Sequence, residues 1–222
     1  ATVEEKEKLR LFLEKERNVF ALFESHGNWD IAMVVFTKNR QEYYDLENKL
    51  LSEFGKLIVS RRFCSMLDAV ILSNNLLHDN KKIEERNIWG ASLIEDIDEK
   101  DKILINSLHS NSKESLVNLS EKVGLSIDAV SKRIKKLKIK KIIPFFTTDI
   151  DYNKLGFEKY KLFIYVKNYS PEIENKIFDF LKYKKNTVNI IRILGPWKLE
   201  VEFLIKEHSE FEKILSELQK EF

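Results

Sequence analysis

Cysteine, proline and glycine are scarce in this chain: 222 residues contain one cysteine, three prolines and six glycines. A single thiol, Cys64, excludes an intrachain disulfide and any zinc finger built on cysteines. The four histidines, His26, His78, His109 and His208, are scattered and show no ligand-type pairing. So few chain-breaking residues predict long helices and strands. No apolar run approaches the roughly 18–20 residues that span a bilayer. The opening residues are charged, unlike a secretory leader. No glycine-rich phosphate loop or nucleophile elbow is present. These absences predict a cytoplasmic protein with no metal, no cofactor and no membrane partner.

What is present is charge, in an uneven distribution. Residues 1–97 carry 14 basic and 17 acidic side chains, residues 98–168 carry 15 and 9, and residues 169–222 carry 9 and 10. The surplus of positive charge therefore sits in one central block between near-neutral flanks. That pattern is the electrostatic footprint of a nucleic-acid module.

The flanks repeat one another. Residues 18–54 align without a gap on residues 186–222, a shift of 168. Asn18 meets Asn186, Gly27 meets Gly195, Trp29 meets Trp197, Glu42 meets Glu210 and Phe54 meets Phe222. Each copy reads as a helix (4–17; 171–185), two apolar strands joined by a Gly-x-Trp turn (19–23 with 31–36; 188–194 with 199–205) and a second helix (40–54; 208–222). Residues 56–72 can supply a closing strand to the first copy, and 160–166 an opening strand to the second. Combined, the unit is βαββαβ, a ferredoxin-like arrangement. Each copy is incomplete, the first lacking its opening strand and the second its closing one.

In the basic centre, Asp98 is placed to cap a helix carrying Ile103, Leu104 and Leu108 at helical spacing. A short helix follows over 115–123, then Gly124-Leu125-Ser126. A glycine in a three- to four-residue turn, followed by a serine N-cap, is a helix-turn-helix signature. The third helix, about 126–139, is expected to bury Ile127, Val130, Ile134 and Leu137. Seven of the eleven residues from Ser131 to Lys141 are basic and none is acidic. Its first residues, Ile127, Asp128, Ser131 and Lys132, are candidates for base edges, and the lysines further along, Lys135, Lys136 and Lys138, for phosphates; Ser126 and Arg133 are counted with them on the DNA-binding face.

These residues resemble the winged helix-turn-helix of the Lrp/AsnC (feast/famine) transcription regulators. The segment 142–151 and Lys154-Leu155-Gly156 are similar to the hinge that leads into that family's ligand-binding RAM domain, which is ferredoxin-like. Gly27-Asn28-Trp29-Asp30 matches the family's Gly-x-aromatic-Asp turn. Gly195-Pro196-Trp197-Lys198 matches it in part, a lysine replacing the acid. Lys138-Ile139-Lys140-Lys141 stands where the family often has a glycine. The resemblance implies an α+β chain with a winged helix flanked by two incomplete RAM-type domains. The expected divisions are 1–75, a linker over 76–97, the winged helix over 98–152, and 153–222. A tandem of winged helix and RAM domain, twice over, explains the order and predicts a parent of roughly 330–350 residues.

By that resemblance, the chain is a sequence-specific DNA-binding transcription regulator. Its partners are double-stranded DNA and itself, through RAM–RAM pairing as a homo-oligomer or an intrachain pseudo-dimer. A small amino-acid-like effector would bind at Gly27, Asn28, Trp29 and Asp30, and at Gly195, Pro196 and Trp197. The plainer alternative is that both tryptophans only cover a sheet edge. Two other functions stay open. The winged helix can contact transcription machinery instead of DNA. Some relatives of this type are siroheme decarboxylases, whose carboxylated substrate would need residues such as His26, Arg61, Arg62 and Arg192. The basic helix is unnecessary for that chemistry, so no enzyme is expected. Cys64 is read as packing, and Trp89 as part of the linker. The lysine- and isoleucine-rich composition suggests an archaeal source.

Overall fold

Helix α1 (Val3–Lys15) starts where the sequence supplies a capping box. The Thr2 hydroxyl accepts from Glu5 N at 3.2 Å, and Glu5 accepts from Thr2 N at 2.7 Å. The computed structural model describes residues 2–25, 29–72, 85–88, 95–148 and 150–222. They divide into two units, Ala1–Phe63 and Cys64–Phe222.

In the first unit, α1 is followed by an antiparallel pair, β1 (Val19–Glu24) and β2 (Ile31–Val35), and by α2 (Arg40–Phe54). Asn39 caps α2 by accepting from Glu42 N at 2.9 Å. Leu13 and Leu46 are buried, and Phe12 and Phe54 pack with ring centroids 5.2 Å apart.

In the second unit, β3 (Ser65–Leu72) and β4 (Glu85–Ile88) precede three helices, α3 (Glu99–Ser110), α4 (Leu116–Val123) and α5 (Ile127–Ile139). Then come a 3-10 turn (Tyr152–Leu155), β5 (Glu158–Ile164), α6 (Pro171–Lys182), β6 (Thr187–Leu194), β7 (Leu199–Ile205) and α7 (His208–Glu221). The five strands form one antiparallel sheet in the order β4-β3-β6-β7-β5. The helix-side core joins Val70, Leu72, Ile164, Ile190, Leu199, Val201 and Phe203 to Ile177, Phe178, Leu181 and Ile214. A separate core under α3, α4 and α5 is built on Leu104, Leu119, Val130 and Leu137.

The repeat extends to individual contacts. Asn18 Nδ2 donates to Phe36 O at 2.9 Å, and Asn186 Nδ2 donates to Leu204 O at 3.0 Å, 168 positions on in both donor and acceptor. Lys38 N donates to Glu42 at 2.6 Å, and Lys206 N to Glu210 at 3.4 Å. The Phe12–Phe54 contact recurs as Phe180–Phe222, with centroids 5.8 Å apart. One ion pair recurs with its charges exchanged. Lys49 bridges Glu16 and lies over the Phe12 ring, while Lys184 bridges Glu217 and lies over the Phe180 ring. The cation has moved from the second helix of the unit to the segment just after the first, and it still covers the equivalent ring.

Two expectations are corrected. The closing strand expected for the first unit within 56–72 lies instead in the second unit's sheet, beside β6. Its residues bury both faces: Val70 and Leu72 join the helix-side core, and Ala69 packs on the other face with Ile191, Ile193 and Trp197. Such a strand belongs inside a sheet with a neighbour on each side. Asp68 faces Arg192 across the pairing, 3.3 Å away. The division therefore falls at Phe63, and the expected limit of 75 does not hold.

The strand-like 142–151 segment forms no strand among its described residues. Ile142 N and Ile143 N both donate to Leu137 O, at 3.0 and 3.2 Å, closing the end of α5. Lys141 turns through a positive φ of 56°, and Pro144 has no donor. The N–H groups of Ile142 and Ile143 are thereby engaged in the helix terminus. The expected linker lies mostly outside the described residues, as do His26, His78 and Trp89.

The exchanged pair makes a stability test. Glu16→Lys alone sets two cations together and is expected to lower stability by up to about 1 kcal/mol. Adding Lys49→Glu recreates the second unit's arrangement and is expected to restore most of it. Denaturant unfolding with hydrogen exchange in residues 2–63 measures both variants.

Candidate nucleic-acid interface

Three capped helices make this site. Asp98 accepts from Asp101 N at 2.8 Å and starts α3. Ser115 accepts from Asn118 N at 3.1 Å and starts α4. Helix α4 ends at Gly124, in the left-handed region with φ 61° and ψ 47°, and Leu125 N donates back to Ser120 O at 3.1 Å. A left-handed residue closed by a six-to-one hydrogen bond is the Schellman stop. Ser126 then accepts from Ala129 N at 3.3 Å and starts α5. The turn is thus determined by Gly124 and Ser126, and it sets α5 across α4.

Helix α5 is divided lengthwise. Val130 is fully buried and Leu137 nearly so, with Ile134 packed against the same core. The far side exposes Asp128, Ser131, Lys132, Lys135, Lys136 and Lys138. Lys132, Lys135 and Lys136 have no ion-pair partner among the described residues. Lys138 lies over the Phe146 ring, its Nζ 5.0 Å from the centroid.

The Ser126 hydroxyl is engaged as the expected cap. Two other expectations about this helix change. Ile127, expected inside, is 45% exposed. Arg133, expected on the DNA-binding face, is half-buried and turned towards α3: its Nη1 lies 2.8 Å from Asp98 Oδ2 and 2.8 Å from Asp101 Oδ1. The hydrogen bond to Asp101, reinforced by Asp98, raises the Arg133 pKa. Asp98 in turn is held below the usual carboxylate range, first by the Asp101 backbone N–H and then by Arg133. Sequence reasoning took Asp98 only as a cap and did not single out Asp101. Their signal was an Asp-x-x-Asp start to α3, which reads as ordinary capping. Lys140 likewise bridges Glu95.

The turns proposed for an effector are arranged differently. Gly27 and Asn28 lie outside the described residues. Asp30 is exposed and paired with Lys6 at 2.8 Å, and that hydrogen bond lowers its pKa. Trp29 beside it is partly buried. In the second turn, Trp197 is buried against Ile191, Ile193 and Phe163, and its indole N–H donates to Glu200 at 3.0 Å. Trp197 therefore packs on the face of the sheet. Gly195 is required by close approach: a Cβ there would meet Cys64 Cβ at 2.7 Å. Pro196 is exposed. Burial pushes the Cys64 thiol up to about 11, which leaves it protonated near neutral pH.

Of the residues considered for a tetrapyrrole, Arg61 pairs with Glu47 at 3.4 Å, and Arg192 is held by Glu174 at 2.9 Å and Asp68. Among the described residues, no His/Cys/Asp/Glu group is placed to hold a metal, and no helix is long and apolar enough to cross a membrane.

Residues 97–138 match the AsnC-type helix-turn-helix domain. An uncharacterized HTH-type transcriptional regulator of Pyrococcus abyssi is 28% identical over 126 residues, 56% of this chain and 81% of that protein. Transcriptional regulator AzlB of Bacillus subtilis is 40% identical over 86 residues, 39% of this chain and 54% of that protein. The crystal structure of an AsnC family transcriptional regulator from Agrobacterium tumefaciens is similar in fold, with a TM-score of 0.50 and 17% identity, covering 57% of this chain and 83% of that one.

The turn itself is testable. An added Cβ at Gly124 meets nothing within 4 Å, so the effect of Gly124→Ala is purely one of backbone conformation. It is expected to lower stability by about 1 kcal/mol, with Gly124→Asn costing less. Ser126→Ala removes the cap and is expected to cost about 1 kcal/mol. Thermal unfolding followed by circular dichroism distinguishes the three variants.

Proposed function

We infer that this chain, a member of the Lrp/AsnC family, is a DNA-binding transcription regulator that reads DNA through the exposed face of α5. The observation that carries this reading is the division of that helix. One face is buried under α3 and α4, and the other presents Ser131, Lys132, Lys135 and Lys136 to solvent behind a Gly124–Ser126 turn. A second helix held in this way is the element that enters the major groove. Ile127, Asp128, Ser131 and Lys132, on its first turns, lie nearest the base edges. Lys135, Lys136 and Lys138 lie further along, at phosphates.

The RAM-like units serve self-association in this proposal, either between copies or between the two units of one chain. The Pyrococcus abyssi relative accounts for just over half of this chain, and the contacts repeated at an offset of 168 support two such units per chain. An amino-acid-like effector remains part of the proposal for the first turn, Gly27–Asp30. It has less support at the second, where Trp197 is buried. A chromosomal target places the protein in the cytoplasm. A decarboxylase reading has little support, since Arg61 and Arg192 are both held in ion pairs.

Binding to fragmented genomic DNA at two salt concentrations tests the proposal. Recovery of a few discrete sites, with affinity falling steeply as salt rises, is the expected result. Each of Lys132→Ala, Lys135→Ala and Lys136→Ala is expected to reduce the salt slope by up to about 1 if its lysine meets a phosphate. No enrichment at low salt would overturn the proposal in favour of a protein partner for α5.

A further inference from the structure

Among the charged side chains of α5, Arg133 is half-buried and turned towards α3. Its Nη1 lies 2.8 Å from both Asp98 Oδ2 and Asp101 Oδ1, at the first turn of α3. Asp101 is 9% exposed, and the Asp98 carboxylate also takes the Asp101 N–H at 2.8 Å. One guanidinium therefore ties the side of α5 to the capped start of α3. Beside it, Val130, Ile134 and Leu137 pack on the core, Lys138 lies over the Phe146 ring, and Lys140, just past the end of the helix, bridges Glu95. Apolar contacts oppose lifting the helix away, but they are non-directional and only weakly oppose its rotation about its own axis. A charged hydrogen bond is directional.

The required precision sets the scale. Side-chain ends lie about 5–6 Å from a helix axis, so a rotation of roughly 20° displaces them by about 2 Å. That is more than the whole range of acceptable hydrogen-bond lengths, about 2.7–3.2 Å. An α5 that is folded but free to rock would keep its lysines near DNA and lose its register on the bases.

We propose that Arg133 is a positioning residue for DNA reading, which fixes the rotation of α5 through Asp98 and Asp101 and does not itself contact DNA. The inference rests on the proposed DNA-binding role. It predicts an outcome opposite in sign to simple electrostatics. Removing an acid near a DNA-binding helix should strengthen binding to a polyanion. Removing Asp98 or Asp101 should instead weaken specific binding, because α5 loses its anchor.

The test compares Asp98→Asn, Asp101→Asn and Arg133→Met with wild type, in the full chain, on a site recovered from genomic DNA and on unrelated DNA. Asparagine caps helices about as well as aspartate, so Asp98→Asn keeps the start of α3 and isolates the charged contact. It remains informative if Asp101→Asn fails to fold, and circular dichroism checks each variant. The expected result is a loss of about tenfold in specific affinity, on the order of one misplaced base contact. Non-specific affinity should change less, and the salt slope should be unchanged in Arg133→Met. The Arg133→Met/Asp101→Asn double variant should be no weaker than either single one. Tighter or unchanged specific binding in Asp98→Asn, or a salt slope lowered by about 1 in Arg133→Met, overturns the inference while the regulator reading stands. Absence of salt-dependent DNA binding by wild type overturns both.

Discussion

Burial of one face of α5 is the constraint on which the helix-turn-helix part of this protein depends. Val130 and Leu137 reach a core shared with Leu104 and Leu119, and nothing polar on α5 enters that core. Because α-helical residues repeat every 3.6 positions, fixing Val130 and Leu137 inward sends Ser131, Lys132, Lys135 and Lys136 outward. Clustered lysines repel one another and are best solvated, so the arrangement that hides the apolar face also keeps the cations in water. The same packing that holds the domain together thus leaves a basic surface suited to a polyanion.

The second unit's sheet meets a different requirement. All seven residues of β7 are buried, and it lies between β5 and β6 with its backbone groups paired on both sides. Beyond β6, the edge is continued by β3 and β4. The far face of the sheet carries Glu200 and Glu202, both buried. Lys161 lies within 3.2 Å of each, while Trp197 and Asn189 donate to them. Buried carboxylates are tolerable only with such partners. This network accounts for the lysine and the tryptophan of that face in structural terms.

The repeat links the two units at the level of single interactions. The asparagine that reaches the neighbouring strand's carbonyl, the glutamate that receives the turn's N–H and the facing phenylalanines all recur 168 positions apart. The Glu16–Lys49 and Lys184–Glu217 pairs have exchanged charges and kept a cation above the ring. The requirement at this place is one charge of each sign beside an aromatic face, and either member of the pair can supply the cation.

Much of this was legible from residues alone, for a physical reason. Caps, the Gly124 stop, the helical spacing of α5 and the Gly-x-Trp hairpins are local. Their energetics involve groups a few positions apart, so the pattern and the interaction lie in the same stretch of sequence. The choice of a sheet for 65–72, the turn of Arg133 towards α3, the burial of Trp197 and the absence of a wing strand among the described residues of 142–151 are different in kind. Each is a competition between distant partners: two possible sheet edges, solvent or two carboxylates, an open turn or an apolar face, a strand ladder or the end of α5. Only the folded arrangement brings those competitors together, and there desolvation and hydrogen-bond geometry decided each one.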